Sequence, residues 1–145
     1  MPLDKTTLTL KLGQLEEYIS DVKRLRGKPI AEFTPRSDVE ILAERHIEKA
    51  CQAALDIANH IVAEEGLGQP TMYKELGHIL AKTNIVSPEM AVKLETVAKF
   101  RNRLVHEYAN LEPQIIYDII HRHIDDLVEF AQQIYGYLKN KSAPV

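Results

Sequence analysis

Four long stretches of this chain repeat apolar residues every three or four positions, which is the period of an α-helix. They cover about 4–26, 37–65, 87–108 and 113–138, and only short connections separate them. Short connections between long helices favour antiparallel neighbours, so the pattern predicts an up-and-down helical bundle. The residues predicted to face its core are Leu8, Leu12, Leu15 and Ile19; Ile47, Ala50, Ala54, Ile57 and Ile61; Met90, Leu94, Val97, Leu104 and Val105; and Ile116, Ile120, Leu127, Phe130 and Ile134.

Capping and turn residues mark the ends of these helices. Ser37 and Glu40 have the spacing of a capping box, in which each side chain bonds the other residue's amide. Gly66–Pro70 ends the second helix, a short helix follows near 71–82, and Ser87-Pro88 opens the next long one. The sequence therefore predicts an all-α bundle of four long helices and a short one. At 145 residues it is one domain, 1–145, with a flexible tail from about 139 to 145.

Composition narrows the class of protein. Eighteen basic against 21 acidic residues give a formal net charge of −3, which argues against a general nucleic-acid binder. The segment 91–106 differs, because it contains four basic residues and only one acidic residue, Glu95, and so has a formal charge of +3. No run of 18 apolar residues or secretion signal occurs, and Cys51 is the only cysteine. We therefore expect a cytoplasmic protein with no membrane span and no internal disulfide.

A charged cluster interrupts the apolar stripe of the third long helix. Arg101 falls on that stripe, four residues after Val97, and Tyr108 returns to nearly the same line two turns later. A guanidinium on an inward face is seldom buried without a partner. His106 lies four residues after Asn102, so these two side chains share a helix face. In the simplest structural interpretation the arginine reaches solvent, the histidine is a surface residue and the tyrosine anchors the helix end.

The same residues are suited to RNA cleavage by the ribose 2′-hydroxyl. An imidazole moves protons near neutral pH, and a permanent cation stabilises the pentacoordinate phosphate. A base removes the 2′-hydroxyl proton while an acid protonates the leaving 5′-oxygen. One His106 per chain supplies one proton carrier, so a twofold dimer that pairs two copies of Arg101 and His106 in a groove would supply both roles.

Other polar groups give weaker patterns. His60 and Glu64 are four residues apart without an evident third metal ligand, so we predict no metal site and no cofactor. His121 and His123 point to different faces, as ordinary surface residues do. The tyrosines of the last helix could stack on bases or pack in the core; they are Tyr117, Tyr135 and Tyr137. A basic run after the first helix could contact RNA or remain solvated; it contains Lys23, Arg24, Arg26 and Lys28.

The segment from Phe100 to Tyr108 closely resembles the Arg-x4-His-x-Tyr signature of the HepT-like toxins in the HEPN superfamily. No fixed position of the motif departs from that signature. The resemblance covers about Leu8 to Tyr137. Besides the motif it rests on Ala50–Ala58, the Gly66-Leu67-Gly68 break, and Asp126-Leu127 with Phe130-Ala131.

This resemblance implies a homodimeric HEPN-like bundle whose two motifs face a cleft, in a HepT/MntA-type toxin–antitoxin system. It implies a metal-independent endoribonuclease acting on tRNA or mRNA, neutralised by a nucleotidyltransferase antitoxin. Arg101 and His106 would be catalytic and Asn102 a supporting polar group. Tyr108 would be the hydroxyl that the partner AMPylates. The alternative is a noncatalytic helical subunit that presents substrate to a nucleotidyltransferase, which suits the net negative charge.

Overall fold

A computed structural model describes residues 4–106 and 111–142, and in these residues it is helical without a strand. One long helix forms the last part of the fold, because Pro113–Asp118, a π-helical turn at Ile119–His123 and Ile124–Ser142 follow without interruption. None of the described helices is long and apolar enough to cross a membrane. The helices are α1 Lys5–Lys23, α2 Asp38–Glu64, α3 Leu76–Lys82, α4 Pro88–His106, α5 Pro113–Asp118 and α6 Ile124–Ser142.

The predicted all-α bundle of four long helices and a short one is confirmed. Helix α1 packs against α2 and α6, and α4 packs against α2 and α3. The residues predicted to face inward from the first, second and last helices are all buried. On α4 the buried stripe includes Met90, Leu94 and Val97, whereas Leu104 and Val105 are only half-buried. The core side of α4 therefore reaches the surface near its carboxyl end.

The predicted helix starts are confirmed, but the capping box at α2 is only half formed. The Ser37 hydroxyl accepts a hydrogen bond from the Glu40 amide at 3.1 Å, and Ser87 caps α4 in the same way. The prediction that the Glu40 carboxylate would bond the Ser37 amide is wrong. That amide donates to the Thr34 carbonyl at 3.0 Å, and the Glu40 side chain is buried, 3% exposed. The preceding turn thus satisfies the donor that the box would have used.

The connection between α2 and α3 begins with a left-handed residue. Gly66 has φ +63°, and the Leu67 amide donates to the Val62 carbonyl at 2.9 Å, as in a Schellman motif. Asn84, with φ +60°, ends α3 in the same manner. These caps satisfy the last carbonyls of each helix and fix the direction in which the chain leaves it. The stop predicted for the second helix at this glycine is confirmed.

Two helices differ in extent from the sequence prediction. The first ends at Lys23 and continues as a 3₁₀ turn, Arg24–Gly27. The last continues to Ser142 rather than ending near Leu138. Arg26 joins the two, because its Nε donates to the Ile120 carbonyl at 2.9 Å in the π-helical turn and its Nη2 lies 3.0 Å from the Asp125 carboxylate. This arginine, a candidate for RNA contact, stabilises the helical turn that it touches.

At Gly77, α3 packs so closely against α4 that no room is left for a side chain. A Cβ built on Gly77 would lie 2.9 Å from the Ala91 carbonyl oxygen and 2.9 Å from the Leu94 Cβ. We expect Gly77→Ala to lower the free energy of unfolding by about 1–3 kcal/mol, because main chain cannot yield as a flexible side chain can. Urea denaturation of the purified variant measures this change.

The matched control is Gly136→Ala on α6, where a Cβ would meet no atom within 4 Å. There alanine should raise the free energy of unfolding by about 0.5–1 kcal/mol, through its better helix propensity. A free energy of unfolding for Gly77→Ala equal to or higher than that of the parent protein would show that α3 and α4 do not pack as described.

Candidate active site

Arg101 lies near the carboxyl end of α4, where the buried stripe reaches the surface. Val97, one turn earlier, is 7% exposed, whereas Arg101 and Leu104 are half-buried. A half-buried guanidinium loses part of its hydration and needs compensating contacts. The neighbouring helix α2 and the 3₁₀ turn Tyr73–Glu75 supply them.

Among residues 4–106 and 111–142, three neutral groups hold the guanidinium. Its Nε donates to the Gln52 side-chain oxygen at 2.7 Å, and Nη1 donates to the Asn102 side-chain oxygen at 3.1 Å. Its central carbon lies 5.1 Å from the centroid of the Tyr73 ring, within cation–π range. These contacts orient Arg101 without adding a negative charge, so they leave the cation able to bind an anion.

Gln52 is itself held in one orientation. Its side-chain nitrogen donates to the Asp56 carboxylate at 2.8 Å and lies 3.4 Å from the Tyr73 hydroxyl, which also accepts. Because the nitrogen faces these acceptors, the amide oxygen must face Arg101. The site is therefore assembled from α2, α4 and the turn that precedes α3.

His106 is the last residue of α4, and its side chain is exposed. Within residues 4–106 and 111–142 it makes no hydrogen bond, ion pair or ring contact, so Arg101 and His106 share a helix end with no hydrogen bond between them. The guanidinium turns towards Gln52, and Asn102 accepts its hydrogen bond. Tyr108 lies outside the described residues.

Lys93 and Lys99, two basic residues of the segment 91–106, lie beside carboxylates of the fold. Lys93 Nζ lies 2.7 Å from the Glu129 carboxylate and 3.6 Å from that of Asp126, and the hydrogen bond to Glu129 raises the pKa of the lysine. Lys99 lies 3.4 Å from Glu95. The positive charge that the sequence places along α4 is therefore partly balanced in its middle.

Comparison with known proteins identifies the family. The family model described as "Ribonuclease HepT-like" matches residues 15–134. The chain belongs to the HepT-like ribonuclease family.

Two curated proteins are similar to this chain over most of its length. One is named tRNA nuclease HepT, from Aphanizomenon flos-aquae; it is 25% identical over 136 residues, 94% of this chain and 92% of that protein. The other is named mRNA nuclease HepT, from Shewanella oneidensis; it is 29% identical over 124 residues, 86% of this chain and 92% of that protein.

Solved structures share the fold. A tri-AMPylated Shewanella oneidensis HEPN toxin in complex with an MNT antitoxin matches with a TM-score of 0.80 and 23% identity, over 89% of this chain and 96% of that one. The cytosolic protein YutE from Bacillus subtilis, of unknown function, matches with a TM-score of 0.76 and 22% identity, over 99% and 96%. The HEPN-like fold implied by the sequence resemblance is confirmed.

Gln52 and Tyr73, which hold Arg101 together with Asn102, were not predicted as site residues from the sequence of this HepT-like chain. The available signal was weak: Gln52, Asp56 and Asn59 form a polar line at helical spacing beside the alanine-rich side of α2. That line faces α4 only after the chain folds, and Tyr73 comes from a turn that carries no periodic pattern. Neither contact follows from spacing along the chain.

The other histidines differ in their surroundings. His60 is half-buried, and its Nε2 has no hydrogen-bond partner in the described part of the chain. The prediction that His121 is an ordinary surface residue is wrong, because its ring stacks on Tyr117 at 4.1 Å between centroids, and its Nε2 is buried. Residues 4–106 and 111–142 bring together no group of three or more histidine, cysteine, aspartate or glutamate side chains able to hold a metal ion.

The last-helix tyrosines contact glutamates of other helices. Tyr135 donates to Glu16 at 2.6 Å. Tyr137 donates to Glu65 at 2.8 Å, and burial together with this hydrogen bond raises its pKa to about 12. These bonds tie α6 to α1 and to the end of α2, which favours the packing interpretation over base stacking.

Proposed function

We propose that this chain is the toxin of a HEPN/minimal-nucleotidyltransferase toxin–antitoxin system and cleaves tRNA or mRNA without a metal ion. The family match and the two relatives named as nucleases support the endoribonuclease activity. The observation that carries the assignment of the site is a guanidinium held by neutral partners on the same helix end as an exposed imidazole.

Arg101 and His106 are the catalytic residues of the proposed reaction, and Asn102 supports Arg101 through its hydrogen bond. A base removes the proton of the ribose 2′-hydroxyl, whose oxygen then attacks the adjacent phosphorus. Arg101 stabilises the extra negative charge of the pentacoordinate phosphate. An acid protonates the departing 5′-oxygen, leaving a 2′,3′-cyclic phosphate on one fragment and a 5′-hydroxyl on the other.

A homodimer completes this reaction, because each chain supplies one His106. In a twofold pair, one imidazole accepts the 2′-hydroxyl proton and the other donates to the 5′-oxygen. Leu104 and Val105 support this arrangement, since both are only half-buried at the same end of α4 and leave apolar surface for a second copy. Two copies of Arg101 then line the shared groove.

AMPylation of Tyr108 by the antitoxin switches the activity off. Support comes from the solved structure that shares this fold, a tri-AMPylated HEPN toxin bound to an MNT antitoxin. Each added AMP brings a phosphodiester negative charge and a bulky base. In the sequence Tyr108 comes two residues after His106, so the modification places that charge where the RNA phosphate would bind.

The second candidate is a noncatalytic subunit that presents substrate to a nucleotidyltransferase. The net charge of −3 favours it, because RNA-binding proteins usually carry a basic excess. Both candidates include a nucleotidyltransferase partner, so the presence of a partner does not separate them. Cleavage by the isolated chain does.

Purified protein shown by intact mass to carry no AMP should cleave total RNA in the presence of a chelator. We expect His106→Ala to lower the rate about 10²–10⁴-fold, since it removes the proton carrier. Arg101→Ala should lower it about 10²–10³-fold, as loss of a group that stabilises transition-state charge does. Gel electrophoresis of the RNA follows the rates.

Matched controls are His78→Ala, an exposed histidine on α3, and Arg45→Ala, an exposed arginine on α2. Both should cleave at the rate of the parent protein. If demonstrably unmodified protein cleaves no RNA, the toxin assignment fails and the presenting subunit takes its place.

Coexpression with the nucleotidyltransferase antitoxin should add AMP to this chain and abolish cleavage. Intact-mass analysis should show the additions on the parent protein and on Tyr137→Phe, whose hydroxyl contacts Glu65. Tyr108→Phe should carry none, because it lacks the accepting hydroxyl. AMP on Tyr108→Phe would show that the modified residue is a different one.

A further inference from the structure

A small groove adjoins the Arg101 contacts and shares Tyr73 with them. Its volume is about 250 Å³. Pockets for drug-sized ligands occupy about 300–1,000 Å³, so this groove suits a single ring system rather than an extended molecule. Its lining residues are Asn59, Pro70, Thr71, Met72, Tyr73 and Leu76.

The lining has the chemistry that binds a flat ring with a polar edge. Met72 is 55% exposed and Leu76 is buried, and both line the groove with apolar side chains beside the Tyr73 ring. The Asn59 side chain is exposed and makes no hydrogen bond within residues 4–106 and 111–142. Its amide therefore has both donors and its acceptor available for the edge of a ligand.

Charge distinguishes a base from a phosphate at this position. No lysine or arginine lines the groove. The Glu75 carboxylate adjoins the groove, because it accepts a hydrogen bond from the amide of the lining residue Thr71 at 3.0 Å. A phosphate would be repelled by this carboxylate, whereas a neutral nucleobase would not. Arg101, whose guanidinium contacts the Tyr73 ring, is the group that suits the phosphate.

The geometry points to a nucleobase site: we propose that this groove binds an unpaired base of single-stranded RNA next to the phosphate held by Arg101. Tyr73 links the two, because its ring centroid lies 5.1 Å from the guanidinium carbon and the same residue lines the groove, where an aromatic ring can stack a base. Asn59 contacts the polar edge of that base. The inference rests on the proposed function for the identity of the ligand as RNA.

Binding rather than cleavage tests this site. The probes are short fluorescein-labelled oligoadenylate, oligouridylate and an abasic ribose-phosphate chain of equal length, titrated by fluorescence anisotropy with chelator present. The protein is His106→Ala, which keeps the RNA intact. The base-bearing probes should bind about 5- to 150-fold more tightly than the abasic chain, which is the range expected for one stacked base.

Adding Asn59→Ala should weaken binding of the base-bearing probes about three- to tenfold, by loss of a hydrogen bond, and by different factors for adenylate and uridylate. It should leave the abasic chain unaffected. Asn140→Ala, which replaces an exposed asparagine on α6, is the matched control and should change none of the three affinities. Equal binding of all probes, or an unchanged affinity in Asn59→Ala, overturns the proposal.

The outcome is separable from that of the nuclease proposal. Base-dependent binding that Asn59→Ala weakens supports the groove even if the unmodified parent protein cleaves no RNA. Cleavage that depends on His106, together with base-independent binding, leaves the nuclease proposal intact and excludes the groove as a nucleobase site.

Discussion

The site depends on one interaction, the hydrogen bond between the Arg101 guanidinium and the Gln52 side chain. An arginine on the core side of a helix has to be compensated, and a carboxylate would do so while neutralising its charge. Here an amide oxygen at 2.7 Å and the Tyr73 ring compensate it instead. The positive charge stays available, and its direction is fixed by a side chain of a neighbouring helix.

Helix α2 and the turn before α3 position the side chains that contact Arg101. Gly66 ends α2 in a left-handed conformation and redirects the chain into the connection that carries Tyr73. Gly77 then lets α3 approach the α4 backbone closely. The turn that carries Tyr73 lies between these two glycines and packs against α4, so the Tyr73 ring and the Arg101 side chain meet although 28 positions separate them in the sequence.

Most of the fold could be predicted from the sequence, because helical periodicity and capping residues are local signals. The apolar stripes of α1, α2 and the last helix were buried as predicted. The half-formed capping box could not be foreseen, since the competing Thr34 carbonyl belongs to a loop without periodicity. The same limit applies to Gln52 and Tyr73, whose roles arise from contacts between separate helices. The positions of Arg101 and His106 on α4 were predicted, but the direction of the guanidinium towards α2 was not.

The central claim is that a cation held by neutral groups and an exposed imidazole cleave RNA through its own 2′-hydroxyl. Analysis of the fragment ends formed by unmodified protein in a chelator tests it most directly. The account predicts a 2′,3′-cyclic phosphate on one fragment and a 5′-hydroxyl on the other, because the nucleophile belongs to the substrate. Fragments that carry 5′-phosphate and 3′-hydroxyl ends would contradict it, since they would require attack by water and a different use of Arg101 and His106.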